Sequence, residues 1–180
     1  MKASITQSIH QAQIHLTQLQ YQQWDSHLFS DNWWILLATL LLPWVLWWFL
    51  VKKERLFEIL TFALLVIIIG TTLDVYGVNL GWWSYGTKLF YLNPGLIAGD
   101  WSLPPVCKSL IYQYFPDWPR FTAAIIILSA LLSFALEPVL HLRGVYIMYH
   151  WSYLESFLVY LAVALLTKFI VDVLKKHIPA

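Results

Sequence analysis

The sequence predicts an all-α membrane protein, a polytopic bundle of five transmembrane helices with its N-terminus outside and its C-terminus inside. Hydrophobic residues make up 59% of the chain and charged residues only 12%, whereas an ordinary soluble domain has about 25% charged residues. The apolar residues form runs near bilayer-spanning length, about 17 to 25 residues. When five spans are counted, most basic residues fall on one side of the membrane, as the positive-inside rule requires.

Residues 1–32 are predicted to form an amphipathic interfacial helix. Its apolar residues recur at alternating steps of four and three, which places them on one helix face. These residues are Ile5, Ile9, Ala12, Leu16 and Leu19. The remaining positions are mostly Gln, Thr, Ser and His, so the helix is expected to lie on a membrane surface with Trp24 as an anchor. A short oligomerisation seam is the alternative.

Residues 33–180 are predicted to form the membrane domain. Its spans are expected at about 33–51, 56–73, 95–115, 121–140 and 151–174. The third span is unusual because it contains the adjacent prolines Pro104 and Pro105, which fit a first helical turn but not a helix interior. We therefore expect a short third helix that begins with the prolines, preceded by a partly re-entrant segment over residues 78–103.

The distribution of basic residues sets the predicted orientation. One side receives residues 52–55, Arg120, Lys175 and Lys176, and the other receives Lys2, Lys88 and Arg143. The richer side should be cytoplasmic. With four spans, the C-terminal lysines would move to the opposite side and the bias would disappear.

This topology brings polar residues from several helices to the outer half of the bundle. Ionisable residues within spans are costly, and they usually face the bundle interior or a water-filled cavity. We therefore predict a polar and aromatic pocket there. The candidate pocket residues are Asp74, Trp83, Tyr85, Asp100, Lys108, Gln113, Glu137, His150, Trp151 and Glu155.

Glu155 is the strongest single candidate, since it lies about one turn into the last span and needs a proton, a hydrogen bond or a partner. Lys108 is its candidate partner, although that lysine could also extend to the inner interface. Glu137 ends a polar stripe with Ser129 and Ser133, which recur every four residues. Asp100 is expected to cap the helix that follows it.

Asp74 ends the second span and is equally consistent with a position in water among lipid headgroups. Just after it, the chain contains glycines, two adjacent tryptophans and Tyr85. We interpret this stretch as a membrane-edge element that covers the predicted pocket, with the aromatic rings at headgroup level.

Several function classes lack their signature. Cys107 is the only cysteine and the histidines are scattered, so neither a disulfide nor a metal site is expected. The chain has no nucleophile elbow, phosphate-binding glycine loop or nucleotide fingerprint, so no catalytic residue and no cofactor are predicted. A net charge of +1 gives no indication of nucleic-acid binding. The polar N-terminal region gives no reason to expect a removable signal peptide.

Four ordered motifs carry a resemblance to a known family. They are "LDVYGVNLGWWSY" at 73–85, "DWSLPPVCKSLIYQYFPDW" at 100–118, "FALEP" at 134–138 and "GVYIMYHWSYLESF" at 144–157. Over residues 33–172 the chain resembles small five-helix membrane proteins of endospore-forming Gram-positive bacteria, a family with no established activity. Many members have proline where this chain has Gly86. The resemblance implies a multi-pass protein of the bacterial cytoplasmic membrane.

Three functions are compatible with these features. The first is a non-catalytic protein whose pocket binds a lipid-like or small amphiphilic ligand, or a partner helix, with membrane lipids around it. The second is a small proton- or cation-coupled transporter or channel component that uses Glu155 and Glu137, either as a single chain or as a homo-oligomer. The third and least supported is an intramembrane enzyme acting on a lipid or isoprenoid, with Glu155 or Asp100 as general acid.

Overall fold

A computed structural model describes residues 2–177 as a mainly helical protein. In chain order, its elements are α1 (Lys2–His27), α2 (Asp31–Leu50), α3 (Leu56–Asn79), β1 (Trp83–Tyr85), α4 (Ile97–Asp100), α5 (Leu103–Tyr114), α6 (Trp118–Leu131), α7 (Glu137–Leu142), β2 (Tyr146–Met148) and α8 (Tyr153–His177). A 3₁₀ turn, Lys53–Arg55, precedes α3, and a π-helical segment, Leu132–Leu136, joins α6 to α7.

Within the described residues, four helical segments are long and apolar enough to cross a membrane. They are Asp31–Leu50, Lys53–Asn79, Trp118–Leu142 and Tyr153–His177. They lie close to four of the five spans expected from the sequence. Two of them begin with side-chain caps, since Ser30 accepts a hydrogen bond from Trp33 N and Asp117 accepts one from Arg120 N.

The third expected span is shorter than a membrane-crossing helix. Helix α5 has 12 residues, so it is about 18 Å long at ~1.5 Å per residue. It begins at Leu103 with prolines in its first turn, which confirms the prediction of a short helix started by Pro104 and Pro105. Residues 78–103 before it form turns, β1 and α4.

Contacts between helix ends show how the chain runs through the bundle. Lys175, near the end of α8, lies 2.7 Å from Glu58 in the first turn of α3. Gln113, near the end of α5, accepts a hydrogen bond from Lys52 N just after α2. These contacts gather the basic residues 52–55 and Lys175 at one end of the bundle, which we call the basic end.

A buried cluster of apolar and aromatic residues fills the space between α3, α5, α6 and α8. Phe62 of α3 stacks on Tyr112 of α5 with ring centroids 4.6 Å apart, and Phe121 of α6 meets both rings edge-on. Ile125 and Val163 complete its centre. Helix α5 therefore lies inside the bundle although it is the shortest of these four helices.

The expectation of an all-α protein is corrected by one small sheet. Strands β1 and β2 pair antiparallel, with Ser84 opposite Ile147. Gly86 donates its N–H to Val145 O and approaches Gly144 so closely that a Cβ at Gly86 would overlap the Gly144 carbonyl oxygen. Each strand has three residues, too few for a period-two pattern, and their pairing is long-range, so local sequence gave no signal for it.

The π-helical segment lies just before Pro138. Proline has no N–H to donate to the preceding turn, and π-bulges commonly replace regular turns at such positions and at functional sites. Glu137 N bonds Leu132 O across the wider turn. As a result the α6–α7 helix continues past Pro138 with Ser129, Ser133 and Glu137 all buried.

Helix α1 is attached to the rest of the protein at its C-terminal end. Trp24 donates its indole N–H to Leu89 O at 2.8 Å, and its ring packs with Tyr21 and Tyr91. The apolar residues predicted to share a face include Ile5, Ile9, Leu16 and Leu19, which are exposed. The interfacial role of this helix stays a prediction.

Candidate functional site: a polar and aromatic cavity

A cavity of about 380 Å³ lies at the end of the bundle opposite the basic end. We call this the cavity end; it contains the end of α3, the starts of α5 and α8, and α7. Ligand cavities in proteins have volumes of about 300 to 1,000 Å³. The polar and aromatic residues lining the cavity are Thr39, Asp74, Trp82, Trp83, Tyr85, Asp100, Lys108, Glu137, Arg143, Tyr146, Trp151, Ser156 and Tyr160.

Asp74 is a buried acceptor with several protein partners. Its Oδ1 receives the Trp83 indole N–H at 2.7 Å and the Tyr85 hydroxyl at 2.6 Å, and its Oδ2 receives Leu96 N at 2.9 Å. Charge-assisted hydrogen bonds of this kind are the strong ones. Asp74 therefore holds the aromatic segment after α3 in place, and it does not lie in water.

Gly77 explains how Trp83 reaches Asp74. The indole of Trp83 lies directly against Gly77, and a Cβ there would overlap its ring. Gly77 is three residues after Asp74, so the two occupy the same helix face. Gly77 provides the surface for the Trp83 ring, and Asp74 accepts its indole N–H. Gly81, with φ +70°, lets the chain turn back after α3 so that Trp83 reaches both residues.

Asp100 lies near Asp74 instead of capping α5. Both carboxyl groups lie beside Gly95, where an added Cβ would overlap Asp74 Oδ2 and lie 3.2 Å from Asp100 Oδ2. The N-cap residue of α5, Ser102, makes no side-chain capping bond, so the expected capping role of Asp100 is wrong.

Glu137 is buried and only half satisfied. Its Oε1 accepts the Tyr160 hydroxyl at 2.8 Å, whereas its Oε2 has no hydrogen-bond partner among the described residues. The Ser156 hydroxyl lies beside the same carboxyl group and accepts the Trp151 indole N–H at 2.9 Å. A buried polar atom without a partner is costly, and Glu137 is one of the residues that line the cavity.

Lys108 is 2% exposed and also lines the cavity. Its Nζ lies over the Tyr160 ring, 5.1 Å from the centroid. Among the described residues it makes no salt bridge and no hydrogen bond. Lys108 therefore does not form the expected pair with Glu155. Tyr160 contacts both Lys108 and Glu137 instead.

An aromatic wall closes the outer side of the cavity. Trp82 stacks on Trp151 at 5.4 Å, and Trp83 packs against Trp151 at 4.7 Å. Tyr85 and Tyr146 stack across the two strands at 5.6 Å. Burial and the neighbouring Asp74 raise the pKa of Tyr85 well above its usual value, so its hydroxyl stays a hydrogen-bond donor.

Glu155 lies on the surface and does not line the cavity. Its Oε2 accepts hydrogen bonds from Ser152 N at 2.7 Å and from the Ser152 hydroxyl at 2.6 Å, and Glu155 N donates back to Ser152 Oγ at 3.3 Å. This is a capping box at the start of α8. The S-x-x-E pattern at 152–155 was the signal for it.

Two other candidates also lie away from the cavity. Gln113 is at the basic end, where its amide donates to Leu50 O and accepts from Lys52 N; it closes the end of α2. His150 is exposed, and its backbone N–H donates to Trp82 O. The structure thus brings together Asp74, Trp83, Tyr85, Asp100, Lys108, Glu137 and Trp151 around one cavity.

Sequence reasoning missed Tyr160, Ser156 and Tyr146. Tyr160 is the most consequential, because it contacts both Glu137 and Lys108. A usable signal existed on α8, where Ser156, Tyr160 and Lys168 are separated by four and then eight residues, a spacing that keeps them on one face.

Comparison with known proteins gives no further constraint. No family model matches the chain, and no curated protein or solved structure matches it significantly. The function of the cavity is therefore argued from its own geometry.

Proposed function

We propose that this chain is a membrane protein that binds a lipid-like or small amphiphilic ligand in the cavity and does not transform it. The observation that carries the proposal is the Oε2 atom of Glu137, which is buried and has no hydrogen-bond partner among the described residues. Glu137 is 6% exposed and lines the cavity. A buried carboxylate oxygen without a donor favours a ligand that supplies one. Apolar residues such as Leu36, Val66 and Leu132 line the same cavity, which suits the apolar part of an amphiphile.

The wall of the cavity also suggests how a lipid-like ligand reaches it. Ile35 of α2 and Val139 of α7 line the cavity, yet they are 40% and 49% exposed. Residues that are both lining and exposed mark an opening. This opening lies between α2 and α7, and an amphiphile would enter there from the side of the bundle.

Gly70→Leu tests ligand binding directly. Gly70 lines the cavity, and a Cβ there meets no atom within 4 Å, so a side chain can start at this position without a clash and a leucine adds volume. Native mass spectra of the detergent-purified wild-type protein should contain a discrete small-molecule adduct that Gly70→Leu loses. The matched control is Ala38→Leu, an exposed position on α2 outside the lining, which should keep the adduct. A wild-type protein without any adduct, even after incubation with lipid extract, contradicts the proposal.

We further propose that α5 is a fifth, shorter pass, with the N-terminus outside and the basic end in the cytoplasm of a bacterial cell. The concentration of basic residues at one end supports this orientation. Cys107 is the only cysteine, so single cysteines can be placed in a Cys107→Ser background. A membrane-impermeant maleimide should label Ser8→Cys in intact cells and leave Glu54→Cys unlabelled; the reverse pattern contradicts the orientation. Membership of the resembling family likewise stays a prediction.

Ion-coupled transport is the second candidate, and it now depends on Glu137 and on the Asp74–Asp100 pair. Buried carboxyl groups near a cavity are typical of proton relays. Glu155 no longer supports it, because that side chain caps α8 at the surface. Proton flux in proteoliposomes that disappears in Glu137→Gln and persists in Glu155→Gln would favour transport over binding alone.

A further inference from the structure

Two residues of opposite charge, Lys108 and Glu137, line the same cavity and form no ion pair with each other. Glu137 Oε2 lacks a hydrogen-bond donor, and the Lys108 ammonium lacks a carboxylate or any other acceptor among the described residues. Tyr160 separates them, since its hydroxyl donates to Glu137 and its ring lies under Lys108. A buried charge without a counter-charge is strongly unfavourable. The cavity therefore offers one site for an anion and a second, nearby site for a hydrogen-bond-donating cation.

The other charged residues of the lining do not alter this balance. Asp74 has both oxygens engaged with Trp83, Tyr85 and Leu96. Asp100 is only partly buried and lies beside Asp74 at Gly95. Arg143 is exposed at the margin, next to the start of α2, where its carbonyl accepts from Asn32. Among the charged residues of the lining, Lys108 and Glu137 are buried and keep bonding capacity that the described residues do not use.

From this geometry we propose that the cavity binds a zwitterionic phospholipid whose headgroup carries a phosphate and a primary ammonium. The phosphate lies at Lys108, and the ammonium donates a hydrogen bond to Glu137 Oε2 beside the rings of Tyr146 and Trp151. Aromatic faces near a carboxylate attract an alkylammonium group. The acyl chains leave through the opening between α2 and α7. This inference rests on the proposed function and adds the headgroup chemistry.

The headgroup chemistry is tested by back-titrating delipidated protein with four dioleoyl lipids and reading apparent dissociation constants from native mass spectra. The lipids are phosphatidylethanolamine, phosphatidylcholine, phosphatidylglycerol and diacylglycerol. Phosphatidylethanolamine should bind about tenfold more tightly than phosphatidylcholine, whose ammonium has no N–H, or phosphatidylglycerol, which has no ammonium; tenfold corresponds to about 1.4 kcal/mol. Diacylglycerol, without phosphate, should bind most weakly.

Two variants test which protein side chain binds which part of the lipid headgroup. Glu137→Gln keeps an acceptor for Tyr160, and it should reduce the preference for phosphatidylethanolamine over phosphatidylglycerol to about twofold or less. Lys108→Gln should weaken all three phospholipids and leave diacylglycerol unchanged. Glu155→Gln and Lys176→Gln, which change surface residues of α8, are matched controls, and their apparent dissociation constants for the four lipids should equal those of the wild-type protein. Thermal unfolding of each variant checks that it is folded.

The outcomes separate the two proposals. Lipid binding that Gly70→Leu blocks, but that shows no headgroup preference, overturns the zwitterion assignment and leaves the ligand cavity standing. A preference that persists in Glu137→Gln also overturns the assignment. Absence of any lipid binding to the wild-type protein, with Gly70→Leu indistinguishable from it, overturns the proposed function itself.

Discussion

The two ends of the bundle treat buried polar groups in opposite ways. At the basic end, Glu58 accepts hydrogen bonds from Arg55, Lys175 and the Tyr112 hydroxyl. Lys168, although 1% exposed, donates to Pro116 O and lies 3.2 Å from Asp172. These groups use their bonding capacity within the protein. They connect α3, α5 and α8, and they leave little for a ligand.

At the cavity end the pattern is mixed. Asp74 is saturated by its protein partners, whereas Lys108 and Glu137 Oε2 are not. Buried polar groups in folded proteins are nearly always satisfied. The basic end therefore stabilises the bundle, whereas the cavity end combines a stabilised aromatic wall with two buried groups whose bonding capacity the described residues do not use. Variants at the two ends should separate stability from binding.

Gly77→Ala should give the largest loss of stability. Its Cβ would displace the Trp83 ring and break the indole bond to Asp74; we expect the free energy of unfolding to fall by about 3 kcal/mol from overpacking and a lost buried bond. Denaturant unfolding in detergent measures it. Gly70→Ala is the control, since its Cβ meets no atom and alanine is the better helix former. Equal stability of both variants would refute the close packing of Trp83.

Glu58→Gln should destabilise the protein by about 1–2 kcal/mol, because the charge that holds Arg55 and Lys175 is removed. Ligand binding should stay unchanged, since Glu58 is at the basic end. The same denaturant titration and the lipid titration measure the two effects. High salt should reduce the difference from wild type. A loss of lipid binding in a folded Glu58→Gln protein would remove the distinction between the ends.

Glu155→Gln should cost about 0.5–1 kcal/mol, because the amide is a weaker acceptor for Ser152 N and loses the charge that favours a helix N-terminus. Ser152→Ala, which removes the other half of the capping box, should cost a similar amount. Unfolding of the two single variants and the double variant measures the coupling between them. Additive losses would mean that the two side chains do not act together.

Glu137→Gln should change stability least, within about 0.5 kcal/mol, because glutamine can still accept from Tyr160. Its effect should appear in ligand binding instead. Unfolding and lipid binding should therefore be measured on both Glu58→Gln and Glu137→Gln. We expect Glu58→Gln to change only stability and Glu137→Gln to change only lipid binding. A large destabilisation by Glu137→Gln would mean that this carboxylate is a structural group like Glu58.

Much of the site was readable from the sequence, but the roles within it were not. Because successive apolar helices run in opposite directions, the sequence predicted that Asp74, Asp100 and Glu137 lie at one end of the bundle. All three line the cavity there. Helical periodicity could not show that the Glu155 side chain accepts hydrogen bonds at the start of its own helix. Its partner there, Ser152, is only three residues away and competes with any partner on another helix. The assignment of Asp100 as a cap also failed, because a local role was expected and the side chain lies beside Asp74, which is distant in the chain.

Sequence alone determined the apolar helices, the short proline-started α5 and the clustering of basic residues, since all of these follow from composition, helical period and the chemistry of proline. Only the tertiary structure decided which polar atoms are satisfied. It paired Asp74 with Trp83 across Gly77, joined β1 to β2, and put Tyr160 between Glu137 and Lys108. Such pairings depend on distances between residues far apart in the chain, which no local pattern encodes.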